Sequence, residues 1–258
     1  MKIVVLVKEV PDTGGDRSLN LETGLAERQA SEPVLDEIGE RAIEVALAYA
    51  DNHDDAEVVL LSMGRESAMA TVRKGLAMGA GSAVQVVDAS LLGADLGLTS
   101  EVLAAALTEM GFDLVIAGNQ STDGTAGVIP AMVAERLGLP QLTALREVTI
   151  EEGSVSGVRA TEAGTVRVTA RLPAVISITE ALPDARFPNF KGIMAAKKKP
   201  FETLTLADLE LDADRLDVPR SIMTKVAERP RRGAGITIID DGDAGEKLAE
   251  FLRENRLV

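Results

Sequence analysis

Cysteine is absent from the 258 residues, and histidine occurs once, at His53 in the polar run 51–55. The first absence excludes disulfide scaffolds, thiolate zinc, Fe–S clusters and thiol nucleophiles. The second removes the material for a His-dependent triad or a His-rich metal site. Aromatics are nearly missing too, with five Phe, one Tyr and no Trp, so any core is built from Ala, Val, Leu and Ile. No run approaches the roughly 18 apolar residues of a membrane span, and residues 1–10 carry no basic leader or cleavage pattern. The expectation is a soluble, cytoplasmic protein without direct membrane insertion. Positive charge is also scarce: 27 Lys and Arg face 41 Asp and Glu, a net −14. Phosphate repulsion on that scale excludes a general nucleic-acid partner. What remains is a chain 46% hydrophobic, long enough for one large α/β domain.

Residues 1–10 (MKIVVLVKEV) read as a strand buried on both faces, ended by the turn chemistry of 11–15. After an irregular polar stretch, 36–50 place Ile38, Ala42, Val45, Ala46 and Tyr49 on one helical face, with Asp36 and Glu37 at the positive N-terminus. Strands follow at 57–62, 83–87 and 113–117, with helices at 66–79, 100–110 and 128–137 between and after them. Such alternation predicts a doubly wound, mostly parallel, Rossmann-like sheet with helices on both faces. Ligands of such sheets sit beyond the carboxyl ends of the strands. Of the three candidate strand ends (7–11, 62–64 and 118–127), the last is the most informative. Its Ser121, Thr122, Gly124, Thr125 and Gly127 precede a helix whose free N–H groups favour an anion. Asn119 or Gln120 could bond a ribose or a base. An ordinary joint, N-capped by Ser121, Thr122 or Asp123, explains the pattern equally well. The loop has no P-loop, GxGxxG or lysine, so a nucleotide here is bound and not hydrolysed.

From 139 the pattern becomes alternation, at 145–150, 154–160 and 165–178, separated by Gly153, Gly157 and Gly164, which predicts a small antiparallel β layer. Residues 179–200 carry three prolines and no period. Within them Phe187, Phe190, Ile193 and Met194 lie beside Arg186, Lys191, Lys197, Lys198 and Lys199, five cations against the single acid Asp184 over 184–199. Such a knob suits protein docking. On the residues alone, phenylalanines filling core under a solvated lysine edge is the favoured reading. Residues 203–218 read as loosely helical or extended, 221–235 as a linker and 244–258 as an amphipathic helix that is either a docked tail or an arm toward a partner.

Taken in order, Val7–x–x–Val10–Pro11–Asp12 with Lys8, Leu76-Ala77-Met78-Gly79-Ala80, Gln120-Ser121-Thr122-Asp123, Leu172-Pro173-Ala174-Val175 and Gly192-Ile193-Met194-Ala195-Ala196-Lys197-Lys198-Lys199 make nearly the whole chain resemble the β subunit of electron transfer flavoprotein. Residues 161–177 overlap that family's signature region. The resemblance implies an adenine nucleotide alpha hydrolase-like fold and a heterodimer with an α subunit. It implies one redox FAD held mostly by the α subunit, and a structural AMP buried in the β subunit. By motif, the AMP contacts fall on Leu6, on Asp36, Glu37, Ile38 and Gly39, on Met63, and on Gly118, Asn119, Gln120, Ser121, Thr122, Asp123, Gly124 and Thr125. The segment 178–200 becomes a recognition loop for acyl-CoA and related dehydrogenases, anchored by Phe190 with Ile193, Met194, Lys197, Lys198 and Lys199 around it. That reverses the core-filler reading. The chain departs from the family at Thr13, where an aromatic is frequent, and at Val166, where an acidic residue is common, so neither contact is carried over.

The expected organisation is a nucleotide-binding domain over 1–220 and a linker with a helical arm over 221–258. The expected role is a non-enzymatic electron carrier of fatty acid β-oxidation, with no residue acting as acid, base or nucleophile. It passes electrons to a membrane-bound electron transfer flavoprotein-quinone oxidoreductase. The competing readings are a stand-alone stress-type adenine-nucleotide binder and a bifurcating-type subunit with FAD in place of AMP.

Overall fold

The computed structural model describes residues 1–15, 17–215, 217–231, 233 and 235–258. Strand β1 (Lys2–Val7) is nearly all β-branched or leucine and sends alternate side chains into two cores. A short ribbon follows, in which β2 (Glu9–Pro11) pairs antiparallel with β3 (Pro33–Leu35), a pairing the turn-like 11–15 did not announce. Helix α1 (Glu37–Ala50) starts at Asp36, whose carboxylate accepts the N–H groups of Ile38 and Gly39. The chain continues through β4 (Glu57–Met63), a 3₁₀ turn and α2 (Met69–Met78), which Gly79 stops with φ of 147°, and then β5 (Ser82–Val86). Helix α3 (Leu96–Met110) begins a turn earlier than its apolar period suggests, because Asp95 caps it through Leu98 N at 2.7 Å. Strand β6 (Leu114–Gly118), a ten-residue loop and α4 (Ile129–Leu137) follow.

The last third holds β7 (Gln141–Glu151), β8 (Ser154–Thr161), β9 (Gly164–Arg171), β10 (Ala174–Ile178), α5 (Phe190–Ala196) and β11 (Phe201–Leu204). The alternating run 165–178 is therefore two strands broken at Leu172-Pro173, and only the first belongs to the antiparallel part. All five residues of β10 are buried, and it lies parallel between β6 and β7. Within 179–200, which shows no period, Phe190–Ala196 folds into α5, and the chain then forms β11 at the sheet edge beside β5.

The nine strands run β11-β5-β4-β1-β6-β10-β7-β8-β9. Pairing is parallel from β11 to β7 and antiparallel along β7-β8-β9. Ile3, Leu60, Ile116 and Ile176 pack with Ile43 and Leu76 on one face. Val4, Leu61, Val115 and Val175 pack with Leu107 and Val133 on the other. The chain builds outward from β1 through β4 to β5, then crosses back through α3 to β6 on the opposite side of β1. Strand order thus reverses between β1 and β6, and a crevice opens there.

The chain forms two compact units, Met1–Thr224 and Lys225–Val258. The second contains α6 (Ala244–Glu254), on which Leu248, Phe251 and Leu252 share a face at helical spacing with no buried residue. Parts of the readings for 203–218 and 221–235, at Leu216, Arg232 and Ala234, fall outside the described residues. Among the described residues no helix is long and apolar enough to cross a membrane.

Candidate functional site

At the reversal point the ends of β1, β4 and β6 open into a cavity of about 760 Å³, within the range of roughly 300–1,000 Å³ usual for small-molecule sites. Leu6 and Met63 supply its apolar floor, while Leu91, Leu92 and Leu96 ahead of and within α3 supply one wall. The opposite wall is the loop after β6. Of the residues singled out from sequence, Leu6, Asp36, Gly39 and Met63 line the cavity, as do Gly118, Asn119, Gln120, Ser121 and Gly124. Glu37, Ile38, Thr122, Asp123 and Thr125 do not. Glu37 is exposed on the first turn of α1, and Ile38 is core. Ile38 still shapes the site, since a Cβ on Gly118 would stand 2.9 Å from its Cγ2, so only glycine lets β6 pass that close to α1.

Asp36 is spent within the scaffold. It is 3% exposed; Oδ1 caps α1 and Oδ2 accepts from the Thr122 backbone N–H at 2.7 Å and the Thr122 hydroxyl at 2.9 Å. One carboxylate therefore fastens the loop to the helix. Asp123 makes a second fastening. Lys8 Nζ lies 2.8 Å from Oδ1 and Arg28 Nη2 2.6 Å from Oδ2. Burial would raise the Asp123 carboxyl, but the hydrogen bond and charge of Lys8, the Ser121 hydroxyl and Arg28 together hold it far below the usual carboxylate range. Arg17 adds a hydrogen bond to the Thr122 carbonyl. Neither Ser121, Thr122 nor Asp123 caps α4, whose N-cap is Val128 and which has no side-chain cap.

Several groups are left facing the cavity. The first turn of α4 has no side-chain cap, Gly124 and Gly127 line the cavity, and Lys8 brings an ammonium that the loop itself lacks, although this ammonium and the Gly124 N–H already bond Asp123. Asn119 lines the cavity, and its Oδ1 is buried without a hydrogen-bond donor. A helix N-terminus and a cation beside an apolar slot suit a small ligand with an anionic end and an apolar body. Arg17 and Arg28 were invisible in the sequence because they sit in a polar stretch with no period. Lys8 was read as a strand end, with no sign that it reaches residues 121–123.

The second feature is the surface of 179–200. Phe187 is 94% and Phe190 80% exposed, and Ile193 and Met194 are also exposed, so none of these four fills core. Lys197 and Lys198 are solvated beside them. Lys199 is placed differently: its ammonium donates to the carbonyls of Leu76, Gly79 and Ala80 at 2.9, 3.1 and 2.6 Å, closing the end of α2, and burial lowers its pKa. Helix α5 starts with Asn189 capping Gly192 N at 2.8 Å and lies on α2. A Cβ on Gly192 would stand 2.3 Å from the Ala77 carbonyl oxygen, which is backbone and cannot swing aside. Gly192→Ala is therefore expected to push α5 off α2. The cost is roughly 1–3 kcal/mol, read as a lower Tm together with faster proteolysis within 187–199.

A family model described as the electron transfer flavoprotein domain matches residues 23–209. The chain is 43% identical to the electron transfer flavoprotein subunit beta of Mycobacterium tuberculosis (strain ATCC 25618 / H37Rv), covering 99% of each protein. It is equally similar, 43% over 99% of each, to the subunit of that name from Mycobacterium leprae. It is 30% identical over the full length of both chains to the caffeyl-CoA reductase-Etf complex subunit CarD of Acetobacterium woodii.

Proposed function

The chain belongs to the electron transfer flavoprotein β-subunit family, and on that premise we propose that it binds one AMP, shapes a heterodimer with an α subunit and docks dehydrogenases. Electrons then pass through the α subunit's FAD to a membrane-bound electron transfer flavoprotein-quinone oxidoreductase. The observation that carries the nucleotide half is the cavity between β1 and β6, lined by Lys8, Asn119 and the start of α4, which has no side-chain cap. In this reading the phosphate sits against the glycine-bearing loop and the first turn of α4, with Lys8 nearby. Asn119 lies beside the nucleoside, and Leu6, Met63 and Leu91 hold its apolar faces. Asp36, Thr122 and Asp123 act behind them by holding the loop in place. The bound FAD supplies the uptake and release of electrons; the β chain supplies no acid, base or nucleophile.

The docking half rests on the exposed Phe187, Phe190, Ile193 and Met194 with Lys197 and Lys198 beside them, an apolar centre with a cationic rim. The helix α6, whose apolar face is uncovered within its own unit, is the arm that packs on the α subunit. The site of action is the cytoplasm.

Co-expression with an α subunit is expected to yield a yellow heterodimer releasing one AMP and one FAD on denaturation, measured by chromatography of the extract. Two FAD and no AMP would place this chain with bifurcating-type subunits. A colourless homodimer that hydrolyses ATP would overturn the reading.

A further inference from the structure

We propose that Arg186 is a positioning residue for the docking surface: its guanidinium, forked onto Glu44 of α1 and Asp51 at the helix C-cap, holds residues 187–191 in the shape that a dehydrogenase meets. The inference rests on the docking reading above and adds what that reading leaves open, namely how an exposed apolar loop stays ordered.

A segment that offers Phe187 and Phe190 to water gains nothing by holding them there, and its natural tendency is to fold them inward or to fluctuate. The structure counters this by fixing the chain on both sides. On the near side Arg41 of α1 donates to the Leu182 carbonyl and pairs with Asp184. Arg186 then makes a denser set of contacts. Nε lies 2.8 Å from Glu44 Oε2, Nη2 lies 2.8 Å from Glu44 Oε1 and 2.8 Å from Asp51 Oδ2, and Nη1 lies 3.3 Å from Asp51 Oδ1. Its backbone N–H also donates to Glu44 Oε2 at 3.0 Å. Glu44 thus grips both the side chain and the main chain of one residue, immediately before Phe187. On the far side α5 is seated on α2 by Gly192, by Arg73 Nη1 donating to the Ala196 carbonyl at 2.8 Å, and by Lys199. Between Arg186 and Gly192 the chain is fixed at its ends and bare along its length.

This geometry needs arginine. A planar fork satisfies two carboxylates at once, whereas a lysine ammonium is a point charge that can meet only part of the set. Arg186 and Glu44 are partly buried while Asp51 is exposed, so the grip rests mainly on the bidentate pair with Glu44, which holds more strongly than an isolated surface pair does. Ordering the segment before binding removes an entropy cost from the encounter, which strengthens association without touching electron transfer.

The test uses the heterodimer with its FAD. In Arg186→Ala, hydrogen exchange of amides 187–194 is expected to rise about tenfold while the rest of the chain keeps its protection. KM for a medium-chain acyl-CoA dehydrogenase reduced by octanoyl-CoA is expected to rise about fivefold at unchanged kcat and flavin content. Arg186→Lys is expected to fall between wild type and Arg186→Ala, and Glu44→Gln to behave like Arg186→Ala. Phe190→Ala runs in parallel as the control for docking itself. Unchanged exchange in Arg186→Ala overturns the clamp whatever the kinetics show. Faster exchange with unchanged KM, where Phe190→Ala does raise KM, overturns its role in docking. If Phe190→Ala also leaves KM unchanged, the docking reading is what has failed.

Discussion

Phe190→Ala is expected to raise KM for a reduced acyl-CoA dehydrogenase about 10- to 30-fold in the heterodimer, with kcat, FAD content and AMP content unchanged. The size follows from burying an aromatic anchor at the centre of an interface, worth roughly 2 kcal/mol on truncation, where each 1.4 kcal/mol is about tenfold. The selectivity for KM follows from where the side chain stands. Phe190 opens α5 with 80% of its surface in water, so its removal leaves no cavity in the fold and Tm is expected to move little. The α5 cap belongs to Asn189, not to Phe190, and survives the change. Steady-state reduction followed at the flavin absorbance, with dehydrogenase concentration varied, separates KM from kcat. An unchanged KM removes Phe190 from the docking surface. Among nearby cations, Lys197 and Lys198 are solvated, so in the proposed docking their loss is expected to show mainly as weaker salt dependence. Lys199 is committed to the end of α2, and its loss belongs to stability.

Much of the architecture was legible because the alternating strands and helices of residues 1–137 are written in strong, local patterns. The β-branched run at β1, the cap at Asp36 and the stops at Gly79 and Gly138 each carry their own signal. What escaped depends on distant partners. Strand β10 looked like a continuation of its antiparallel neighbour because alternation does not reveal which strand lies alongside; its five buried residues come from a seat between β6 and β7. Strand β11 pairs at an edge with residues more than a hundred positions away, and its own four residues announce nothing. The short helix α5 is too small to show a period and is held by Asn189, Gly192 and α2. At the site, although an ordinary strand-to-helix joint explains the pattern equally well, the small and hydroxyl residues of the loop from Gly118 to Gly127 were readable. The charges that hold it were not. Arg17 and Arg28 come from a featureless stretch, and the contact of Lys8 with Asp123 spans 115 positions. Asp36 was singled out as a ligand contact, yet its two oxygens are committed to Gly39, Ile38 and Thr122, which makes it a support for the site.

That double commitment sets the second large expected effect. Asp36→Ala removes a helix cap worth about 1 kcal/mol and charge-assisted hydrogen bonds to Thr122 worth roughly 2 kcal/mol more. It does so at a site only 3% exposed, where water replaces the lost acceptor poorly. The sum of about 3 kcal/mol corresponds to a fall in Tm of roughly 6–12 °C for a unit of this size, together with loss of the bound nucleotide. Asp36→Asn separates the two duties. A carboxylate accepts through both oxygens, whereas an amide offers one oxygen and one NH₂ group. Either the α1 N–H groups or the Thr122 donors must then face a donor. If the oxygen stays on Ile38 and Gly39, the helix keeps its cap and the loop 119–128 is released. Asp36→Asn is therefore expected to keep about a third of the lost stability while the extract of the purified heterodimer falls well below one AMP per complex. Retention of a full AMP by Asp36→Asn, with a Tm close to wild type, would show that the link from α1 through Asp36 to Thr122 does not organise the nucleotide loop. A loss of nucleotide out of proportion to the loss of stability is what sets a positioning carboxylate apart from one that serves the fold alone.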